Sequence, residues 1–130
     1  MNTTLIRGDA LWFVTEQACC LALASGRETD DFRACQAAAE SLADGDAGAL
    51  AYFGERTAAV THDDTGFEDY DTESYEGKEN DLREAVTRLA HLGLDMQAPV
   101  EKREAFMKAA DLIAGFYDAD DVLTAALGNI

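Results

Sequence analysis

The 130-residue chain contains one proline, Pro99. With so little of the residue that removes an amide donor and clashes with the preceding turn, almost nothing interrupts a helix. Val, Ile and Thr never build an alternating run of useful length, so no half-buried strand is expected. No apolar run approaches the roughly 20 residues that span a bilayer. The start, MNTTLIRGDALWF, lacks the charged head, apolar stretch and small-residue cleavage site of a signal peptide. A GxSxG elbow and a phosphate loop are missing. Basic residues are few: ten Lys and Arg, three of them lysine, stand among 26 Asp and Glu. They nowhere cluster into the footprint of a nucleic-acid binder.

Cysteine is also sparse. Cys19, Cys20 and Cys35 make an odd count without framework spacing, which reads as reduced core thiols of a cytoplasmic protein. Neither His62 nor His91 stands at ligand spacing from a second His or a Cys, so no metal and no cofactor is expected.

What is present is alanine and acid. Alanine loses least on entering a helix, and 48% of the residues are hydrophobic. The expectation is all-α: one compact domain over residues 1–130, with five to six short amphipathic helices and an acidic loop in mid-chain. Asp9 to Ser25 reads as a first helix, apolar nearly all round with Glu16 its one charge, and so central. The alternative is that one of its faces stays exposed as a homodimer interface. A second helix follows from a Thr29 cap, with Phe32, Cys35, Ala38, Ala39 and Leu42 inward and Asp44-Gly45 ending it. Asp46 caps a third, with Leu50 and Phe53 inward. Thr57 to Thr61 is ambiguous between more helix and an extended piece.

Beyond the acidic segment, Asn80 reads as the cap of a helix built on Leu82, Ala85, Val86, Leu89 and Ala90. Glu84 and Arg88 pair on its wet face, and Gly93 is its terminating glycine. Pro99 opens a fifth helix, with Phe106, Ala109, Ala110 and Ile113 inward and a Glu104–Lys108 pair outward. Asp118 caps a sixth, with Asp120 and Asp121 in its first turn and Val122, Leu123, Ala126 and Leu127 packed down.

Charge is uneven along this plan. Residues 62–79, HDDTGFEDYDTESYEGKE, hold eight acids against Lys78, a net of −7. Residues 1–61 hold nine acids and four bases, and residues 80–130 hold nine and five, which completes the chain's −16. The segment is not a calcium loop. An EF-hand started at Asp69 puts Ser74 at the glycine position and Asn80 where a bidentate glutamate belongs. Nor is it poor in aromatics, as disordered acidic tails are. Phe67, Tyr70 and Tyr75 either pin it to the helices or join a contact surface, where tyrosine is enriched.

No constellation carries catalysis, and the expectation is a non-enzyme. The cysteines lie on apolar helix faces, where a thiol stays protonated. A chain so acidic repels nucleic acid and anionic membranes and is drawn to basic surfaces. In overall type, a small acidic helical protein without a catalytic motif resembles phage and plasmid anti-defence proteins that occupy nucleic-acid channels, and also toxin-neutralising immunity proteins. That likeness is one of composition, covers no motif and transfers no residue. The leading expectation is an inhibitory, DNA-mimic-like binding protein of anti-CRISPR or anti-restriction type, whose partner is a basic nucleic-acid-binding surface. Asp63, Asp64, Glu68, Asp69, Asp71, Glu73, Glu76 and Glu79 are the expected phosphate surrogates, with Tyr70 and Tyr75 among them as partner contacts. Two rivals stand beside it: an immunity protein for a basic toxin, which uses the same electrostatics on another partner, and a homo-oligomer acidic only for solubility in a salty cytoplasm.

Overall fold

The computed structural model describes residues 9–59 and 78–128. Its elements in chain order are α1 (Ala10–Ala24), α2 (Asp30–Ala43), α3 (Ala47–Ala59), α4 (Lys78–Gly93), α5 (Val100–Phe116) and α6 (Asp120–Gly128). The described residues form no strand, and the fold class is all-α, as the composition implies. No helix among them is long and apolar enough to cross a membrane.

α1 sits at the centre. Ten consecutive residues, Ala10 to Cys19, are buried, because α2, α3, α4 and α5 all pack on it. Only its last third, Cys20 to Leu23, is half-covered, so the face available to a homodimer is confined to that end. α5 runs antiparallel to α2, with Lys108 beside Asp31 and Glu101 near Ser41, and α6 lies on α4 and α5. One apolar cluster joins all six helices, with Phe13, Val14, Val86, Leu89 and Ile113 fully enclosed. The rings of Trp12, Phe13, Tyr117 and Phe116 meet edge to face in sequence, at centroid distances of 5.2, 5.6 and 5.0 Å. That is the geometry aromatic quadrupoles favour.

Several turns form as their residues dictate. The Ser25 and Gly26 amides both reach the Leu21 carbonyl, with Gly26 at φ +93°, a backbone glycine adopts without strain. The Thr29 hydroxyl accepts from the Phe32 amide at 3.2 Å. The Asp46 carboxylate accepts from Gly48 and Ala49 at 2.9 and 3.2 Å. Asp44 and Gly45 both adopt positive φ and end α2. Asp9 is positioned as N-cap of α1 but makes no side-chain capping bond. It faces Arg88 instead, at 3.6 Å.

Other expectations are corrected. The stretch left open between helix and extended piece is helix over Thr57 to Ala59, and Val60 and Thr61 lie outside the described residues. α4 begins two residues before Asn80, at Lys78, so Asn80 lies inside the helix. Leu50 is exposed, and Ala49 is buried in its place, while Phe53 is buried as expected. Asp118 has φ +57° and lies two residues before α6, so it shapes the bend and does not cap. Pro99 is the N-cap of α5, one position earlier than expected. Arg88 and Lys108 reach across to other helices, to Asp9 and to Asp31 at 3.2 Å, in place of the expected partners on their own helices. Gly93 does not terminate α4 by a left-handed turn. It is the last helical residue, pressed against α5, where an added Cβ would stand 2.9 Å from Met107 Cε and 3.2 Å from the Arg103 carbonyl oxygen. Absence of a side chain, not backbone freedom, is what that position needs.

Candidate functional site

The acidic segment connects the end of α3 to the start of α4. Asp63, Asp64, Glu68, Asp69, Asp71, Glu73 and Glu76, with Tyr70 and Tyr75, lie outside the described residues. Glu79 has its backbone in the first turn of α4, and nothing is described of its side chain. What the structure supplies is the mounting on either side.

The end of α3 is fastened by two arginines. Arg56 Nε and a terminal guanidinium nitrogen each lie 3.3 Å from one Glu16 carboxylate oxygen. This forked pair joins the single charge of α1 to the last full turn of α3. Arg27, in the turn after α1, donates to the Thr57 carbonyl at 2.5 Å. That carbonyl is among the last four of α3, which have no partner within the helix. The Thr57 hydroxyl turns back to the Phe53 carbonyl at 2.8 Å.

The Glu16 side chain is 5% exposed and the Arg56 side chain 18%, so this is a desolvated pair. Such pairs stabilise little relative to an apolar contact of the same shape. Removing one partner is the costlier change, because it takes a charge-assisted contact from a partly buried charge. Burial pushes the neighbouring Cys20 thiol up to about 11, Glu16 adds to the rise, and Arg56 opposes it. The Tyr117 phenol is raised further, by burial and then by Cys20 and Glu16. One residue away, Gln17 Oε1 is buried without a hydrogen-bond partner. Nothing in the sequence pointed to Arg56 as the partner of Glu16. A lone acid on a helix apolar all round was the one available signal, since such a charge is seldom buried unpaired.

Elsewhere the surface offers grooves without chemistry. One, of about 700 Å³, follows the outer face of α4 past Arg83, Glu84, Arg88, His91 and Asp95. Another, of about 560 Å³, lies between α2 and α5 over Ala34, Ala37 and Ala105. Both are open and of mixed charge. No thiol is disposed to act as a nucleophile: Cys19 and Cys35 are buried, and burial, followed by Asp31, pushes the Cys35 thiol up to about 12. His91 is exposed on α4. His62 lies outside the described residues. Among the described residues no group of three or more His, Cys, Asp or Glu could hold a metal ion.

No family model, curated protein or solved structure matches the chain.

Proposed function

We propose that this chain is an inhibitory binding protein that sets a dense array of carboxylates against a basic, nucleic-acid-binding surface of a partner protein. One observation carries the reading: of the net charge of −16, −7 falls within residues 62–79. Duplex DNA presents one charge per roughly 1.7 Å of axis, and a competitor for its site needs comparable density. Asp63, Asp64, Glu68, Asp69, Asp71, Glu73, Glu76 and Glu79 act as phosphate surrogates, with Tyr70 and Tyr75 as aromatic contacts. The partner is a protein, not nucleic acid or membrane, and the chain acts by occupancy, without catalysis. Thiols held protonated by burial support a role that involves no covalent chemistry.

The test compares the natural chain with one in which Asp69, Asp71, Glu73 and Glu76 are changed together to Asn or Gln. Each is used to capture proteins from host cells, and retained proteins are identified by mass spectrometry. Association with the retained protein is then timed at several salt concentrations. The expected result is a basic nucleic-acid-binding protein that associates more slowly with the neutralised chain and loses its salt dependence in part. Equal rates and equal salt slopes for the two chains would remove the acidic segment from the function.

A further inference from the structure

α3 differs from α1, α2, α4 and α5 in how it is held. Its buried side chains are Ala49, Phe53 and Thr57, it contains Gly48 and Gly54, and its main contacts are with α1 and α2. Phe53 rests on Phe32 with ring centroids 6.3 Å apart. Beside that small apolar contact stand polar fastenings near its end, among them, within the described residues, Glu16 to Arg56 and Arg27 to the Thr57 carbonyl. α1 and α5, by contrast, each pack on four helices. Elements with little apolar burial open at lower free energy than the core that carries them.

We propose that α3 is a latch: it undocks as a unit while α1, α2, α4, α5 and α6 stay folded, and the Glu16–Arg56 pair with the Arg27–Thr57 contact is its catch. Opening uncovers Phe32 and Phe53 and releases Arg56 and Glu16 to water. It also frees the element that precedes the acidic segment in the chain, so a bound partner would meet a newly uncovered apolar surface. That use rests on the function proposed above, whereas the opening itself does not and is measured without a partner.

Native-state hydrogen exchange at low denaturant, read residue by residue, tests the latch on the full chain. The amides of residues 51–57 should exchange through an opening nearly independent of denaturant, at protection at least about 100-fold below that of α5. Ile113→Val, in the core of α5, should lower protection in α4 and α5 by about fivefold and leave α3 unchanged, because the undocked state keeps Ile113 buried. If the variant lowers α3 and α5 alike, α3 opens only with the whole molecule and the latch is wrong. Glu16→Gln and, separately, Arg27→Ala should each lower α3 protection, the first by about tenfold or more, as loss of a charge-assisted contact does. Arg27 is exposed, so its variant keeps the catch testable should Glu16→Gln fold poorly. Unchanged α3 protection in the folded variants would overturn the catch.

Discussion

α1 and α3 are of similar length, 15 and 13 residues, and both are rich in alanine. α1 buries ten residues in a row, while α3 buries Ala49, Phe53 and Thr57. The difference lies in what fills the remaining faces. α1 carries Leu11, Trp12, Phe13, Val14 and Cys19 on different sides, and a helix apolar all round is stable only when enclosed. α3 carries Gly48, Gly54, Glu55 and Arg56, which gives neighbours little to cover. The ion pair that joins them belongs to both accounts. It is a desolvation burden for α1 and a main fastening for α3, and alanine content predicts neither role.

The largest expected effect is at Phe13, which has no exposure and touches Trp12 and Tyr117 edge to face. Phe13→Ala should cost about 3–5 kcal/mol in urea unfolding, with the slope unchanged. A cost near zero would make α1 peripheral and dissolve the contrast with α3. Leu21, only partly buried against the core, should cost less on truncation.

Phe53→Ala comes next and discriminates more sharply. If α3 undocks as a unit, the loss cannot exceed what docking contributes, because the chain then populates the undocked form and loses nothing more. The expected cost is about 2–3 kcal/mol, with a smaller denaturant slope, since less surface remains to be exposed. A larger loss at full slope would place α3 within the same cooperative unit as α1.

How far the sequence disclosed these features varies with the physics behind each. α4 and α5 were legible because Ala85, Val86, Leu89 and Ala90, and Phe106, Ala109, Ala110 and Ile113, repeat at helical spacing and are all buried. The caps at Thr29 and Asp46 were legible because their side chains bond amides two or three residues away. Leu50 misled, because leucine is an expected core residue; in α3 the small Ala49 is buried and the larger residue left out. The ion pairs misled for a related reason. Sequence displays partners four residues apart on one helix, whereas Lys108 and Arg88 found carboxylates 77 and 79 positions away in sequence. The partner of Glu16, 40 positions on, was invisible to any local rule. The acidic segment was conspicuous by charge density alone, and charge density speaks to partners more than to fold.

A smaller effect is expected at Gly93, on the part of the molecule that stays folded when α3 opens. Gly93→Ala gains up to about 1 kcal/mol of helix propensity. It also sets a Cβ against Met107 and the Arg103 carbonyl oxygen, an overpacking that costs about 1–3 kcal/mol. Methionine yields readily but the α5 backbone does not, so the net should be a loss of about 1 kcal/mol. That loss should appear in α4 and α5 protection and not in α3. A gain in stability would mean that the α4–α5 contact gives way as easily as α3 does.

The smallest expected effect is a rate at one sulfur atom, and it reads the boundary between the two helices. Cys20 lies on the half-covered end of α1, within the electrostatic reach of Glu16 and Arg56. Its value is pushed up to about 11 from an ordinary 9.0, so at pH 8 about one thiol in a thousand is ionised, against about one in ten for an unburied group. Alkylation requires the thiolate. Labelling of Cys20 should therefore run about 100-fold slower than for a small thiol, and rise about tenfold per pH unit toward 11. Cys35, pushed up to about 12 and fully buried, and the buried Cys19 should follow more slowly still. The linked stability has a definite sign. From about pH 9 upward unfolded thiols lose protons that folded ones keep, so stability falls as pH rises. Undocking α3 takes away Arg56, which favours the thiolate, but it also admits water to Cys20, and burial is the larger cause of the raised value, so Phe53→Ala should speed labelling at Cys20. Mass spectrometry of the alkylated chain over time checks each sulfur separately. Three thiols labelling at one common rate, indifferent to Phe53→Ala, would show that α3 protects nothing at the end of α1 and that the two helices open together.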